Sequence, residues 1–137
     1  MTQFLCPLFL RYLVNDIPSE SVLTRDEVLA ITNVLNKPGI YITLACSSGK
    51  FGIPDQKSIS EAILLKKGVG VAVMSSASAQ TISIAKDFAI PAINSVFSNT
   101  THTVGDVFWT GQINQLSSYK KYYQLFGDPG VIINSDN

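Results

Sequence analysis

The sequence predicts an α/β fold with a largely parallel sheet and helices on both of its faces. Two short apolar segments, residues 40–45 and 68–74, have the continuous hydrophobicity of strands that are buried on both sides. A capping box at Ser58 and Glu61 opens a helix between them, so that strand, helix and strand follow at the spacing of a βαβ unit. The composition, 46% hydrophobic and 15% charged over 137 residues, predicts one buried core and a single domain over residues 1–137.

Before the first of these strands, the sequence predicts one further strand and one helix. Residues 10–15 are expected to form the strand, and a turn-rich segment ends it. The helix is expected to begin at Thr24, which pairs with Glu27 in a capping box. Residues 1–22 are an atypical start. Residues 1–14 are apolar but lack the basic region and cleavage site of a signal peptide, and we expect them to be buried core.

After the second strand, the sequence predicts three helices, a turn and a last strand. The helices are predicted over residues 87–98, 103–116 and 117–126. Pro91 is tolerated if it falls in the first turn of its helix. Gly127 suits the left-handed residue that follows a helix, and Asp128-Pro129 is a turn that cannot continue it. Residues 131–133 are apolar and are expected to form the last strand.

Charge and composition exclude several classes of function. The net charge is zero, with ten residues of each sign, so there is no electrostatic basis for binding nucleic acid or an anionic membrane. Two cysteines, Cys6 and Cys46, are too few for a disulfide scaffold, although one bridge between them stays open. A single histidine, His102, with two separated cysteines does not make a zinc site, and we expect no metal.

Two glycine-containing segments also fail as cofactor sites. Gly49-Lys50 follows a strand, but a phosphate-binding loop needs a glycine at position 44 and a serine or threonine at position 51. Gly68 and Gly70 open a predicted strand, whereas the dinucleotide-binding glycines open a helix. We therefore expect no cofactor.

Cys46 is the best candidate for a catalytic residue because it follows directly on a predicted buried strand. Ligands bind at the carboxyl end of such strands, where the following loop is free to vary. Ser47, Ser48 and Gly49 form this loop, whose amides could hold an oxyanion. Ser75 and Ser76 leave the neighbouring strand and either line the same cleft or form a tight turn. An inert core thiol is the alternative for Cys46 itself.

Two segments, in this order, resemble the gingipain-type cysteine peptidases, whose fold is caspase-like. The first is Ala45-Cys46 with its small loop containing Gly49, and the second is Gly127-Asp128-Pro129 before the last strand. The resemblance covers about residues 23–134 and is to the carboxyl-terminal part of a larger domain. It implies that Cys46 is the nucleophile, that backbone amides near it bind the oxyanion, and that the substrate is a peptide or protein.

The chain departs from this family at the catalytic base. Ile17-Pro18 stand where the family has its His-Gly. Isoleucine cannot accept a proton and proline has no amide hydrogen for an oxyanion, so we expect no peptide hydrolysis by this chain. It is either a fragment or a degenerate, inactive relative. His102 lies outside the motif and is expected to be a solvated loop residue, which could partner Cys46 only if its loop reached the same cleft.

Three hypotheses for function follow. The first is a gingipain-type cysteine peptidase domain or a fragment of one, and the second is a non-catalytic, caspase-like interaction module. The third is an unrelated small α/β ligand-binding domain. An incomplete sheet edge near residues 8–14 predicts self-association. Members of the family are often secreted, but the sequence itself does not indicate a compartment.

Overall fold

The computed structural model describes residues 25–30, 38–52, 54–55, 57–98, 102–115, 120 and 122–133. Within these ranges the elements in chain order are α1 (Arg25–Ala30), β1 (Gly39–Ile42), α2 (Ile59–Leu65), β2 (Gly70–Ser76), α3 (Ile82–Val96), β3 (His102–Thr103), α4 (Val104–Ile113), β4 (Tyr123–Gly127) and β5 (Ile132–Ile133). The strand predicted over residues 10–15, the cap at Thr24, the sheet edge at residues 8–14 and Ile17-Pro18 lie outside the described residues.

The described strands form two sheets within a mixed α/β fold. One sheet has the order β1-β2-β4, in which β1 and β2 are parallel and β2 and β4 are antiparallel. The other consists of β3 and β5, which pair antiparallel. The α/β class is confirmed, whereas the largely parallel sheet is not, because β4 enters the sheet in the opposite direction.

Helices cover both faces of the three-stranded sheet, as its alternating side chains show. Ile40, Ile42 and Met74 belong to a buried cluster with the apolar residues of α3 and α4. Tyr41 and Val73, which alternate with them along the strands, belong to a second cluster with α1 and α2. Since successive residues of a strand point to opposite faces, the sheet lies between two helical layers. No helix within the described ranges is long and apolar enough to cross a membrane.

The predicted helix over residues 87–98 is longer than its sequence indicates. α3 begins at Ile82 with Thr81 as its N-cap, so Pro91 lies inside the helix and not in its first turn. Proline in a helix interior removes a backbone hydrogen bond. Burial of Phe88, Ala89 and Ala92 in the cluster that includes the side chains of the sheet offsets this cost.

The predicted helix over residues 117–126 is wrong for its second half, which is strand β4. Tyr123 and Leu125 pack on the α3 and α4 side, and Phe126 packs on the other. This alternation has the period of a strand, and pairing with β2 satisfies the backbone. Gly127 has the expected positive φ of 111°, but it ends a strand. A Cβ there would clash with the Val71 carbonyl oxygen.

The last predicted turn and strand are present in short form. The Gly130 amide donates to the Asp128 carboxylate over 2.8 Å, which closes the turn at Asp128-Pro129. β5 then pairs with β3, so that His102 lies opposite Ile133. His102 is therefore part of a two-residue strand and not of an open loop.

Candidate active site

Cys46 lies in a turn just beyond the carboxyl end of β1, beside the carboxyl end of β2. The Thr43 amide still donates to the Met74 carbonyl over 2.9 Å, and the chain then leaves the sheet. Ser47, next to the cysteine, has a φ of 57°, in the left-handed region that few serines adopt. The Cys46 thiol is exposed.

The Cys46 thiol contacts both the carbonyl and the amide of Gln80, which lies in the connection between β2 and α3. Cys46 Sγ donates to the Gln80 carbonyl oxygen over 3.2 Å, and the Gln80 amide donates to Sγ over 3.5 Å. The first contact involves the protonated thiol, whereas the second can persist with a thiolate. Neither atom of this backbone can take the thiol proton.

Two alternate backbone amides of the Cys46 turn already donate hydrogen bonds to carbonyls at or just after the end of β2. The Ser47 amide donates to the Ser78 carbonyl over 3.2 Å, and the Gly49 amide donates to the Ser76 carbonyl over 2.8 Å. Within the described part of the chain, the amides of Cys46 and Ser48 donate no hydrogen bond. Of the amides in this turn, these two are the ones left to hold an oxyanion.

Two buried serine hydroxyls, those of Ser60 and Ser75, form a hydrogen-bonded network with the backbone of this turn. The Ser60 hydroxyl, from α2, donates to the Ser48 carbonyl over 3.0 Å and is hydrogen-bonded to the Ser75 hydroxyl at 2.8 Å. The Ser48 hydroxyl in turn donates to the Ala45 carbonyl over 3.0 Å and contacts the Thr43 hydroxyl at 2.6 Å. The network ties the turn to both α2 and β2.

The serines predicted at the exit of the second strand lie inside it. β2 extends to Ser76, and the side chains of Ser75 and Ser76 are completely buried. They therefore support the cysteine turn from below and do not line a solvent-open cleft. Gly49 packs so closely on Ser75 that an added Cβ would clash with the serine hydroxyl. The glycine thus allows the turn to approach the sheet.

Tyr123 reaches the site from β4. Its hydroxyl accepts a hydrogen bond from Gln80 Nε2 over 2.9 Å and donates to the Thr43 carbonyl over 3.4 Å. Burial raises the pKa of Tyr123 to about 12, against the hydrogen bond from Gln80, which lowers it. The phenol is therefore protonated at neutral pH and is not a base. The predicted helix over residues 117–126 gave no indication of this contact, because only a strand brings Tyr123 to the end of the sheet at which Cys46 lies.

His102 lies in the two-stranded sheet, which β5 enters after the chain has left the end of β4 that is remote from Cys46. Only the N-cap Thr103 separates it from α4, and its ring is hydrogen-bonded to Ser98. The other end of α4 reaches the cysteine side, where Gln112 Nε2 donates to the Tyr123 carbonyl. The eight residue-to-residue steps from position 104 to position 112 span about 12 Å along a helix axis. His102 is therefore not positioned to act on Cys46. The described residues also contain no cluster of acidic, histidine and cysteine side chains that could hold a metal ion.

Comparison with known protein families shows to which family the chain belongs. The sequence model of Peptidase family C25 matches residues 11–133. The chain belongs to this family. The match confirms the resemblance to gingipain-type cysteine peptidases, and it includes the Cys46 turn, Ile17-Pro18 and the turn at Asp128. No curated protein and no solved structure matches the chain. Membership of family C25 makes this a cysteine-peptidase-related domain.

Proposed function

We propose that this C25 domain carries its nucleophile at Cys46 but does not hydrolyse peptides without an added base. The observation that carries the proposal is the position of Cys46, which is exposed just after β1 and beside the end of β2. A ligand can reach the thiol there, and the Cys46 amide is uncommitted among the described residues. Only His102 among the residues of the chain offers an imidazole, and it lies in the separate two-stranded sheet.

The chemistry of acyl transfer explains how the domain can carry a nucleophile at Cys46 and still not hydrolyse peptides. Attack of Sγ on a scissile carbonyl forms a C–S bond, and the thiol proton must pass to a base that later protonates the leaving amine. Gln80 offers a carbonyl and an amide, and Tyr123 is already protonated, so neither completes this cycle. A chloromethyl ketone needs no protonated leaving group, because chloride departs as the anion. The chain is thus expected to be alkylated once and not to turn over.

The test is incubation with a panel of peptidyl chloromethyl ketones, followed by intact mass measurement. In a Cys6→Ala background, which leaves Cys46 as the one cysteine, the chain should gain one adduct, and Cys46→Ala in the same background should gain none. Hydrolysis of fluorogenic peptides should not exceed that of Cys46→Ala. An adduct in Cys6→Ala/Cys46→Ala, or hydrolysis by wild type that depends on Cys46, would contradict the proposal.

A second experiment restores the family's base. In the double variant Ile17→His/Pro18→Gly, the imidazole and the glycine amide return to the matching positions. We expect peptide hydrolysis that is abolished when Cys46→Ala is added. Circular dichroism establishes that each variant is folded.

A non-catalytic interaction module is the second candidate function. It is favoured because the thiol and two amides of the site already form hydrogen bonds within the domain. The thiol is engaged on both sides by Gln80, and the amides of Ser47 and Gly49 are paired with carbonyls. In this case no peptidyl electrophile in the panel should react, although iodoacetamide still alkylates Cys46. The restored His-Gly variant should then also remain inactive.

A further inference from the structure

Tyr123 links three separate segments that meet around the Cys46 thiol. From β4, its hydroxyl contacts both the Thr43 carbonyl after β1 and the Gln80 side chain before α3. The backbone of the same Gln80 contacts Cys46 Sγ through its carbonyl and its amide. A continuous hydrogen-bonded path therefore runs from the phenol to the thiol through one residue.

We infer that Tyr123 is a positioning residue that fixes the orientation of the Cys46 thiol through Gln80. The inference rests on the proposed role of Cys46 as the nucleophile position. Tyr123 touches neither the thiol by a hydrogen bond nor any reacting atom. It acts by holding the Gln80 backbone where the S–H group donates to the carbonyl.

Tyr123 is a rigid anchor for this purpose. Its side chain is 2% exposed, and its ring stacks on Phe88 with centroids 4.0 Å apart and planes 5° from parallel. β4 is paired with β2 along its length, which fixes the backbone of the residue as well. A hydroxyl held in this way has little freedom to follow a displaced partner.

Gln80, by contrast, depends on Tyr123 for its side-chain hydrogen bonding. Its Nε2 donates to the phenol, while its buried Oε1 accepts no hydrogen bond from the described residues. Loss of the phenol would leave both ends of a buried amide without a partner, which is unfavourable. The Gln80 segment is then expected to shift toward water, and its carbonyl to leave the thiol.

The experiment observes the thiol directly. The infrared S–H stretching band lies in a region free of other protein bands, and it moves to lower wavenumber when the group donates a hydrogen bond. The band is recorded for the full chain in a Cys6→Ser background, so that only Cys46 contributes, and Cys46→Ala assigns it. Tyr123→Phe should move the band to higher wavenumber and should raise the rate of iodoacetamide alkylation by about threefold to fivefold, the factor for one ordinary hydrogen bond.

Tyr41→Phe is the matched control, since it also removes one tyrosine hydroxyl, which donates to the Val69 carbonyl over 3.1 Å. Tyr41 packs on the opposite face of the sheet, in the cluster with α1 and α2. The Tyr41→Phe variant should destabilise the domain to a degree similar to Tyr123→Phe and leave the S–H band and the alkylation rate unchanged. A band that is the same in wild type and Tyr123→Phe, or that moves equally in both tyrosine variants, would overturn the inference.

Gln80→Met keeps the test decisive if Tyr123→Phe does not fold. Methionine has nearly the length of glutamine and cannot bond to the phenol, so it should move the band in the same direction. Where both variants fold, the double variant should add no further shift, because both act through one path. An unshifted band in Gln80→Met would refute the path through Gln80. This outcome is independent of the chloromethyl ketone result, which tests the proposed function.

Discussion

Removal of the Ser60 hydroxyl is expected to weaken the support of the cysteine turn and to destabilise the whole domain. Ser60 is completely buried and is hydrogen-bonded to the Ser48 carbonyl and to the Ser75 hydroxyl. In Ser60→Ala the Ser48 carbonyl keeps one donor, the Ser60 amide at 3.3 Å. The Ser75 hydroxyl, in contrast, loses its one partner among the described residues while it stays buried.

The magnitude follows from three contributions. Loss of one net hydrogen bond costs about 1 kcal/mol, and a stranded buried hydroxyl costs about 1–3 kcal/mol. Alanine is the better helix former by about 0.5 kcal/mol, which opposes these costs. We therefore expect the free energy of unfolding to fall by about 2 kcal/mol. The double variant Ser60→Ala/Ser75→Ala should lose less, about 1 kcal/mol, because no hydroxyl is then stranded.

The assay is urea unfolding followed by far-ultraviolet circular dichroism. Ser83→Ala is the control, since Ser83 is also the second residue of its helix but is exposed, with its hydroxyl paired to that of Thr81. Its unfolding free energy should stay within about 0.5 kcal/mol of wild type. The reasoning is refuted if Ser60→Ala behaves like Ser83→Ala, or if the double variant is less stable than Ser60→Ala alone.

Three further predictions concern the surroundings of the same turn. Gly49→Ala should lower the unfolding free energy by about 1–3 kcal/mol, measured by urea unfolding, because its Cβ clashes with Ser75; an unaffected stability would show that the turn yields freely. Burial raises the pKa of Tyr123 from 10.0 to about 12, so the unfolded chain loses this proton first. The associated stability is fully present below pH 10 and falls by up to about 3 kcal/mol by pH 12. Unfolding measured across this range should show the loss in wild type, and an equal loss in Tyr123→Phe would contradict it. Ser58→Ala should cost about 1 kcal/mol in thermal or urea unfolding, because Ser58 caps α2 in a reciprocal pair with Glu61, whereas Ser58→Thr should retain most of the stability.

Local sequence signals determined the half of the fold that carries the cysteine. The apolar run that ends before Cys46 forms β1, and the capping box of Ser58 and Glu61 opens α2 as predicted. Residues 70–76 then form β2, parallel to β1. Each of these features depends on neighbouring residues alone, namely the period of hydrophobicity and the chemistry of a helix terminus. The family could be recognised for the same reason, since its motif is local.

Tertiary contacts decided the features that the sequence misassigned. The tyrosine-rich segment before Gly127 has no strong local preference, and pairing with β2 makes it strand β4. Packing of Phe88 and its neighbours on the sheet extends α3 through Pro91. β4 in turn brings Tyr123 to the end of the sheet at which Cys46 lies, while the pairing of β3 with β5 holds His102 in the separate two-stranded sheet. Strand pairing joins residues that are distant in sequence, so its energy cannot be read from any single segment.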